Sequence, residues 1–338
     1  IIQAFSALAA GGTIICTQYL GQKNHEMANK SARQALFIIT AISVCIVTLG
    51  LIFRAPLLSF IFGKVDADVM DNSMVYFFYT VLSYPFIALY DAGASIFRAQ
   101  ENTRGPMVIS IISNVMNIGG NAVLIWVFHM GVAGAAISTL VSRIFCAVVV
   151  LYQLRKDRQP IAVRDYLNIR PDGNMIKRIL ALGVPSGVEN SMFQLGKLAI
   201  QSTVSTLGTT AIAAQAMTNI MEMLNGTAVI GVGIGLMTVV GQSLGAGRKD
   251  EAVYYMKKLM IFSEVFLIAC CAIVYALAKP ITMIGGMEPE SAKMCLDMMF
   301  WITIVKPLVW MPAFIPAYGM RAAGDVKFSM ITSCTTMW

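Results

Sequence analysis

The amino-acid sequence predicts an all-α membrane protein, and three observations carry that prediction. Of its 338 residues, 57% are hydrophobic and 13% charged. Soluble domains carry about 25% charged residues, so half the polar coat that a water-soluble surface needs is missing. The apolar residues gather into runs of about 20, the length that crosses a hydrocarbon core as a helix. Those runs lack the period-two alternation of a membrane strand, and in lipid only helices and closed barrels satisfy every backbone polar group.

Ten apolar segments follow one another at 1–20, 34–53, 74–97, 106–128, 131–153, 178–203, 211–241, 259–278, 297–320 and 328–338. The stretches between them sort by charge. One set carries Lys23, Lys30, Arg33, Arg98, Arg104, Arg155, Lys156, Arg158, Arg164, Arg170, Lys177, Arg178, Arg248, Lys249, Lys257, Lys258, Arg321 and Lys327. The alternate set carries only Arg54, Lys64, Lys279 and Lys293, beside acids such as Asp66, Asp68, Asp71, Glu288 and Glu290. Eighteen basic residues against four, alternating loop by loop, place the first set in the cytoplasm. The net charge of +7 is therefore a membrane-sidedness signal and not a nucleic-acid footprint.

Six of the seven cysteines lie within apolar runs and Cys295 just before one, without a CxxC pair, and neither His25 nor His129 has a ligand-spaced partner. That pattern suits packing, not a disulfide framework or a zinc site. The expected partners are the lipid bilayer and a small-molecule substrate, with no nucleic acid, and a monomer is expected. No cofactor and no metal-ligand cluster is expected from these residues.

The halves repeat. A displacement of 224 carries Gly11, Gln18, Leu20, Gly21 and Ala28 onto Gly235, Gln242, Leu244, Gly245 and Ala252. A displacement of 223 carries Ala94, Arg98, Ala99, Met107 and Ser110 onto Ala317, Arg321, Ala322, Met330 and Ser333, with Asn102 meeting Asp325. Each segment maps onto the sixth one after it, so matched segments run in the same direction and the repeat is parallel. The predicted organisation is a helical lobe over 1–154, a cytoplasmic linker over 155–177 and a second lobe over 178–338. The repeat implies a parent of two six-helix bundles related by a pseudo-two-fold axis, with its first and last helices outside this sequence. Small residues at Gly11, Gly12, Gly119, Gly120, Gly231 and Gly235 are expected where helices approach closely.

Ionisable groups within the segments are the candidate site, because a charge in a membrane helix costs about 2.5–3.5 kcal/mol on insertion scales. Glu189 lies near the centre of its segment, four residues after Pro185, which breaks the helical ladder. Asp91 follows Pro85 in the same manner. Lys197 shares the Glu189 stripe, and Lys306 precedes Pro307; each is either a counter-ion or a snorkelling side chain. Glu222 completes the set.

These residues resemble the multidrug and toxic-compound extrusion (MATE) transporters. The resemblance runs from the second into the eleventh helix of such a protein. It rests on "TQYLGQKNHEMA" and "GQSLGAGRKDEA" at Thr17 and Gly241, on "FRAQENTRGPM" and "MRAAGDVKFSM" at Phe97 and Met320, and on "NIGGNAVLIWVFHMGVAGAAIST" at Asn117. It implies a bilobed twelve-helix fold in a plasma membrane, expected to be a bacterial inner membrane. It also implies antiport by alternating access of the two lobes, driven by a Na⁺ or H⁺ gradient, exporting organic, cationic or amphiphilic compounds. By resemblance, Asn117, Asn121 and Thr139 fall on cation-site positions of the first lobe. One branch of the family has an aspartate where Asn121 stands, and the family acid of the Glu189 segment lies where this chain has Phe193. The rivals are a lipid-linked oligosaccharide flippase with the same bundles, a channel, and an intramembrane enzyme, whose nucleophile–base pair or metal cluster is not visible. The G-x-S-x-G at Gly241–Gly245 reads as a helix end and not as a nucleophile elbow, since its repeat copy replaces the serine with Tyr19.

Overall fold

The computed structural model describes residues 2–62, 67–156, 160–163 and 170–337, and among them every regular element is a helix. Lys64, Asp66, Arg158 and Arg164, which entered the charge pattern, lie outside the described residues. The helices are α1 (Ile2–Gly21), α2 (His25–Ile52), α3 (Arg54–Phe62), α4 (Ala67–Leu82), α5 (Tyr84–Ala99), α6 (Arg104–Ala122) and α7 (Gly131–Leu154). They continue with α8 (Gly173–Ser205), α9 (Thr209–Gly245), α10 (Lys249–Ile284), α11 (Pro289–Val305), α12 (Met311–Ala323) and α13 (Val326–Met337). Two π-helical turns, Val123–Val127 and Lys306–Trp310, close α6 and join α11 to α12.

Over their described residues all ten expected segments are helical, with two differences in detail. The short α3 stands where a loop was read; apart from Arg54 and Ser59 its nine residues are apolar, but they are too few to cross a bilayer. The segment at 74–97 is divided at Ser83, because Pro85 in the first turn of α5 cannot donate to the preceding ladder. A displacement of 223 carries Ser83 onto Lys306, the first residue of the second π turn, so both halves break their helix at the same place, just ahead of a proline. Seven stretches among the described residues are long and apolar enough to cross a membrane: His25–Ile52, Asp68–Ala99, Arg104–Val127, Gly131–Leu154, Thr209–Gly245, Lys249–Ile284 and Pro289–Ala323. The chain is a multi-pass membrane protein. Helix α13 is too short for that set at 12 residues, and α8 carries Pro185, Glu189, Asn190 and Gln194 through its middle.

The repeat is written into the backbone. Lys23 donates to the Leu20 carbonyl at 2.9 Å and Asn24 to Tyr19 at 3.0 Å; Gly247 donates to Leu244 at 3.0 Å and Arg248 to Ser243 at 2.9 Å. The second signature behaves alike: Glu101 donates to Arg98 and Asn102 to Phe97, as Gly324 does to Arg321 and Asp325 to Met320. These are four Schellman turns, each with its pivot at positive φ: 58° at Lys23, 62° at Glu101, 76° at Gly247 and 92° at Gly324. The side chains of Asn102 and Asp325 then accept from Gly105 and Phe328 and cap α6 and α13. The paired motifs are helix ends, and Ser243 sits inside one of them.

Contacts divide the chain into Ile1–Gly187 and Val188–Trp338, a boundary inside α8. The sequence puts the start of the second lobe at 178, whereas α8 up to Gly187 packs with the first unit. Gly11 lies so close to α8 that a Cβ there would stand 2.8 Å from Gly183 N and Ile179 O, and the Arg178 guanidinium donates to the Tyr19 hydroxyl at 2.7 Å. The described parts of the linker are strapped to the same unit. Ile161 and Val163 are fully buried; Ile161 N donates to Gln100 Oε1, Ala162 N to Asn29 Oδ1 and Val163 N to Leu154 O. Gln34 donates to Arg170 O and accepts from Asp172 N.

In the first unit, α1 packs against α2 and α5, and α7 against α4, α5 and α6, around a core containing Phe5, Ile39, Phe97 and Leu154. In the second, α9 is central and packs against α10, α11 and α12, with Met221, Cys295 and Met299 buried between them. Of the glycines expected at close approaches, Gly11, Gly12 and Gly120 meet neighbours, but Gly119, Gly231 and Gly235 have nothing within 4 Å. In α9 the close approach is Gly233, where a Cβ would stand 2.7 Å from the Tyr318 ring. Two positions along a helix turn the side chain to the opposite face, so Gly231 and Gly235 point away from that contact.

Candidate functional site

Two helical stripes of the second unit carry three of the candidate residues, Glu189, Lys197 and Lys306. Helix α8 presents Glu189, Phe193 and Lys197 at four-residue spacing, one face of a helix. The π turn and α12 present Lys306, Trp310, Phe314 and Tyr318 in the same manner, with Arg321 three residues further on. Glu189 is buried and bound from three sides. Arg321 Nη2 stands 2.8 Å from Oε2, Ser333 Oγ donates to Oε1 at 2.9 Å, and Ser329 Oγ lies 3.3 Å from Oε2. The turn at Gly324 makes this possible. It reverses the chain directly after Arg321, so α13 brings Ser329 and Ser333, one turn apart, to the carboxylate that Arg321 already holds. The Arg321 guanidinium also stacks on the Tyr318 ring at 5.5 Å.

Lys197 is not the partner of Glu189. Its ammonium lies over the Phe193 ring at 5.0 Å. Lys306 is buried, donates to the Glu222 backbone carbonyl at 3.2 Å, stands 3.4 Å from Glu222 Oε1 and lies 5.3 Å from the Trp310 ring. Gly226, one turn after Glu222, leaves the room that Lys306 fills; a Cβ there would stand 3.5 Å from Nζ. Between them Asn225 is fully buried with both side-chain polar atoms unpartnered, an expensive arrangement in a membrane core.

The first unit holds two further groups. Ser6 Oγ donates to Asp91 Oδ2 at 2.8 Å. Arg143 donates to Ser83 Oγ at the break between α4 and α5. Asn117 donates to Thr139 Oγ1 at 3.2 Å, Asn121 to Asn117 Oδ1 at 3.3 Å, and Ser138 to the Asn117 carbonyl at 3.0 Å. Asn121 Oδ1 is buried without a partner. The trio is one connected network between α6 and α7. Among the described residues no three His, Cys, Asp or Glu side chains cluster as metal ligands.

The MatE family model matches residues 1–123 and 185–337, more than half the chain. This chain belongs to the MatE family. The "Probable multidrug resistance protein YoeA" of Bacillus subtilis is 25% identical over 98% of this MatE chain and 72% of its own length. A crystal structure of a MATE protein in a bent conformation superposes with a TM-score of 0.88 at 17% identity, covering 98% of this chain and 73% of that one. The outward-facing conformation of a multidrug resistance MATE family transporter of the MOP superfamily does so with 0.87 at 18% identity, over 98% and 74%. At such identities the structures establish the fold alone.

Sequence reasoning missed several residues of the candidate site in this MatE chain. Arg321 was read as a flanking cytoplasmic charge; its repeat match with Arg98 was visible, but its partner lies far away in sequence. Arg143 is a charge inside an apolar segment, so the rule that singled out Glu189 applies to it equally. Ser333 showed only as the repeat match of Ser110, and Ser329 and Trp310 carried no signal, since serine and tryptophan are ordinary in membrane helices.

Proposed function

We propose that this chain is the core of a secondary active exporter. It moves small amphiphilic organic compounds outward across the plasma membrane, a bacterial inner membrane, by alternating access of two lobes. An inward gradient of H⁺ or Na⁺ drives it, it works as a monomer, and it needs no cofactor. Membership in the MatE family and the drug-resistance names of its relatives support a transporter over an enzyme, and do not favour the flippase.

The observation that carries the proposal is the Glu189 cluster. A buried carboxylate held by one guanidinium and two hydroxyls is a switch that one cation can throw. Charged, Glu189 ties α8 to α12 and α13. Neutralised by H⁺ or Na⁺, it releases Arg321 and both serines, and the three helices are free to shift. Substrate and coupling ion then oppose each other reciprocally at equilibrium. The test is efflux from cells or proteoliposomes by the full-length protein carrying Glu189→Gln, after normal membrane expression is verified. Gradient-dependent efflux should fall at least tenfold. Unchanged efflux with unchanged dependence on pH and Na⁺ reduces Glu189 to a structural role and leaves Asp91 as the coupling acid.

A further inference from the structure

The second unit contains a continuous run of rings closed at both ends by an ammonium group. Trp310 and Phe314 stack with centroids 4.9 Å apart and planes at 18°. Phe314 meets Phe193 edge-on at 5.6 Å and 75°. Lys306 covers the free end of Trp310, and Lys197 covers Phe193. The three rings are half-buried, so part of each remains accessible, and Lys197 is exposed.

Charge decides what the platform suits. The two acids nearby are committed: Glu189 is held by Arg321 and Glu222 faces Lys306. The partner of Lys197 among the described residues is the Phe193 ring. Two ammonium groups against one carboxylate leave the platform net positive. An organic cation approaching the rings meets like charge at both ends, whereas an aromatic anion stacks on the rings and places its charged group on an ammonium. We propose that Lys306, Trp310, Phe314, Phe193 and Lys197 form a binding platform for planar aromatic anions, carboxylates or sulfonates. This substrate class rests on the exporter reading above.

The experiment is calorimetric titration of the full-length protein in phosphatidylcholine nanodiscs with naphthalene-2-sulfonate, ethidium and inorganic pyrophosphate. The sulfonate should bind saturably. Lys197→Gln and Trp310→Leu should each weaken it by about tenfold, and neither should weaken ethidium. Lys197 is exposed, so its variant keeps the fold and the test does not hang on the buried Lys306. Sulfonate affinity unchanged in both variants overturns the proposal. So does pyrophosphate binding as tightly as the sulfonate, because charge alone then suffices and the rings are idle. Gradient-driven flux of the same sulfonate in proteoliposomes separates the two readings. Flux without the variant pattern in binding removes the platform and leaves the exporter. The variant pattern in binding, with no gradient-driven flux of any compound, removes the exporter and leaves the platform.

Discussion

At the residue scale, the buried pair of Glu189 and Arg321 makes a stability prediction of its own. Their side chains are 9% and 14% exposed, so water screens the pair little. Arg321→Met strands a buried carboxylate and should cost about 3–5 kcal/mol. Adding Glu189→Gln should recover most of that loss, since a neutral amide still bonds Ser329 and Ser333. Thermal unfolding of the two single variants and the double variant measures the coupling. Additive losses mean that the pair is not coupled. The Lys306–Glu222 pair should show a smaller effect, because the Glu222 side chain is 35% exposed and partly screened. Glu189 itself was legible in the sequence because depth and a preceding proline mark it. Its partners were not, since three-dimensional proximity across 132 positions (Glu189 to Arg321) leaves no local pattern.

At the scale of elements, the four Schellman turns explain the repeat signatures and expose an asymmetry. The second half places glycine at both left-handed pivots, Gly247 and Gly324, and the first half places Lys23 and Glu101 there. A side chain in that conformation costs about 1–2 kcal/mol, offset in part by the greater freedom glycine loses on folding. Lys23→Gly and Glu101→Gly should therefore each stabilise by about 0.5–1 kcal/mol, and Gly324→Glu should destabilise by a similar amount. Melting temperatures check both directions, and a loss on introducing glycine would refute the strain argument. The linker strap makes a prediction with a pH sign. Asp172 pairs with Lys30 and accepts from Asn174 N and Met175 N at the start of α8. The Lys30 hydrogen bond, followed by that from Met175, holds its carboxyl below the ordinary carboxylate value. The folded state thus binds its proton less readily than the unfolded chain. The stabilisation is complete above the unfolded carboxylate value and is lost as pH falls through the folded one. Asp172→Asn should lower the melting temperature at neutral pH, and the difference should shrink on strong acidification.

At the scale of the whole molecule, central packing in the second unit depends on Gly233, where the Tyr318 ring occupies the place of a side chain. Gly233→Leu should reduce the folded yield in membranes well below that of Gly235→Leu, whose surroundings are open. Equal yields would mean that the α9–α12 approach tolerates a side chain. The same helix carries the orphaned Asn225, which no hydropathy profile distinguishes from a packing asparagine. Collapsing the Na⁺ and H⁺ gradients separately, while following efflux, assigns the coupling ion of the proposed exporter. Insensitivity to both would remove secondary transport altogether.

The membrane class, the helical segments and the parallel repeat were legible in the sequence. Each of these rests on a local or periodic property: apolar run length, charge between runs, and short motifs that return at a fixed displacement. Positive-φ pivots and cap residues lie within a few positions of one another, so their copies can be matched without coordinates. Tertiary structure alone decided which charge meets which. Lys197 shares a stripe with Glu189 yet lies on Phe193, and Arg321 reaches Glu189 only because the Gly324 turn folds α13 back beside α12. It also decided that 160–163 and 170–172 are strapped to the first unit, through the side chains of Asn29, Gln34 and Gln100. Pairing among buried charges depends on helix rotation and crossing, and a rotation of one residue, about 100°, exchanges one partner for another.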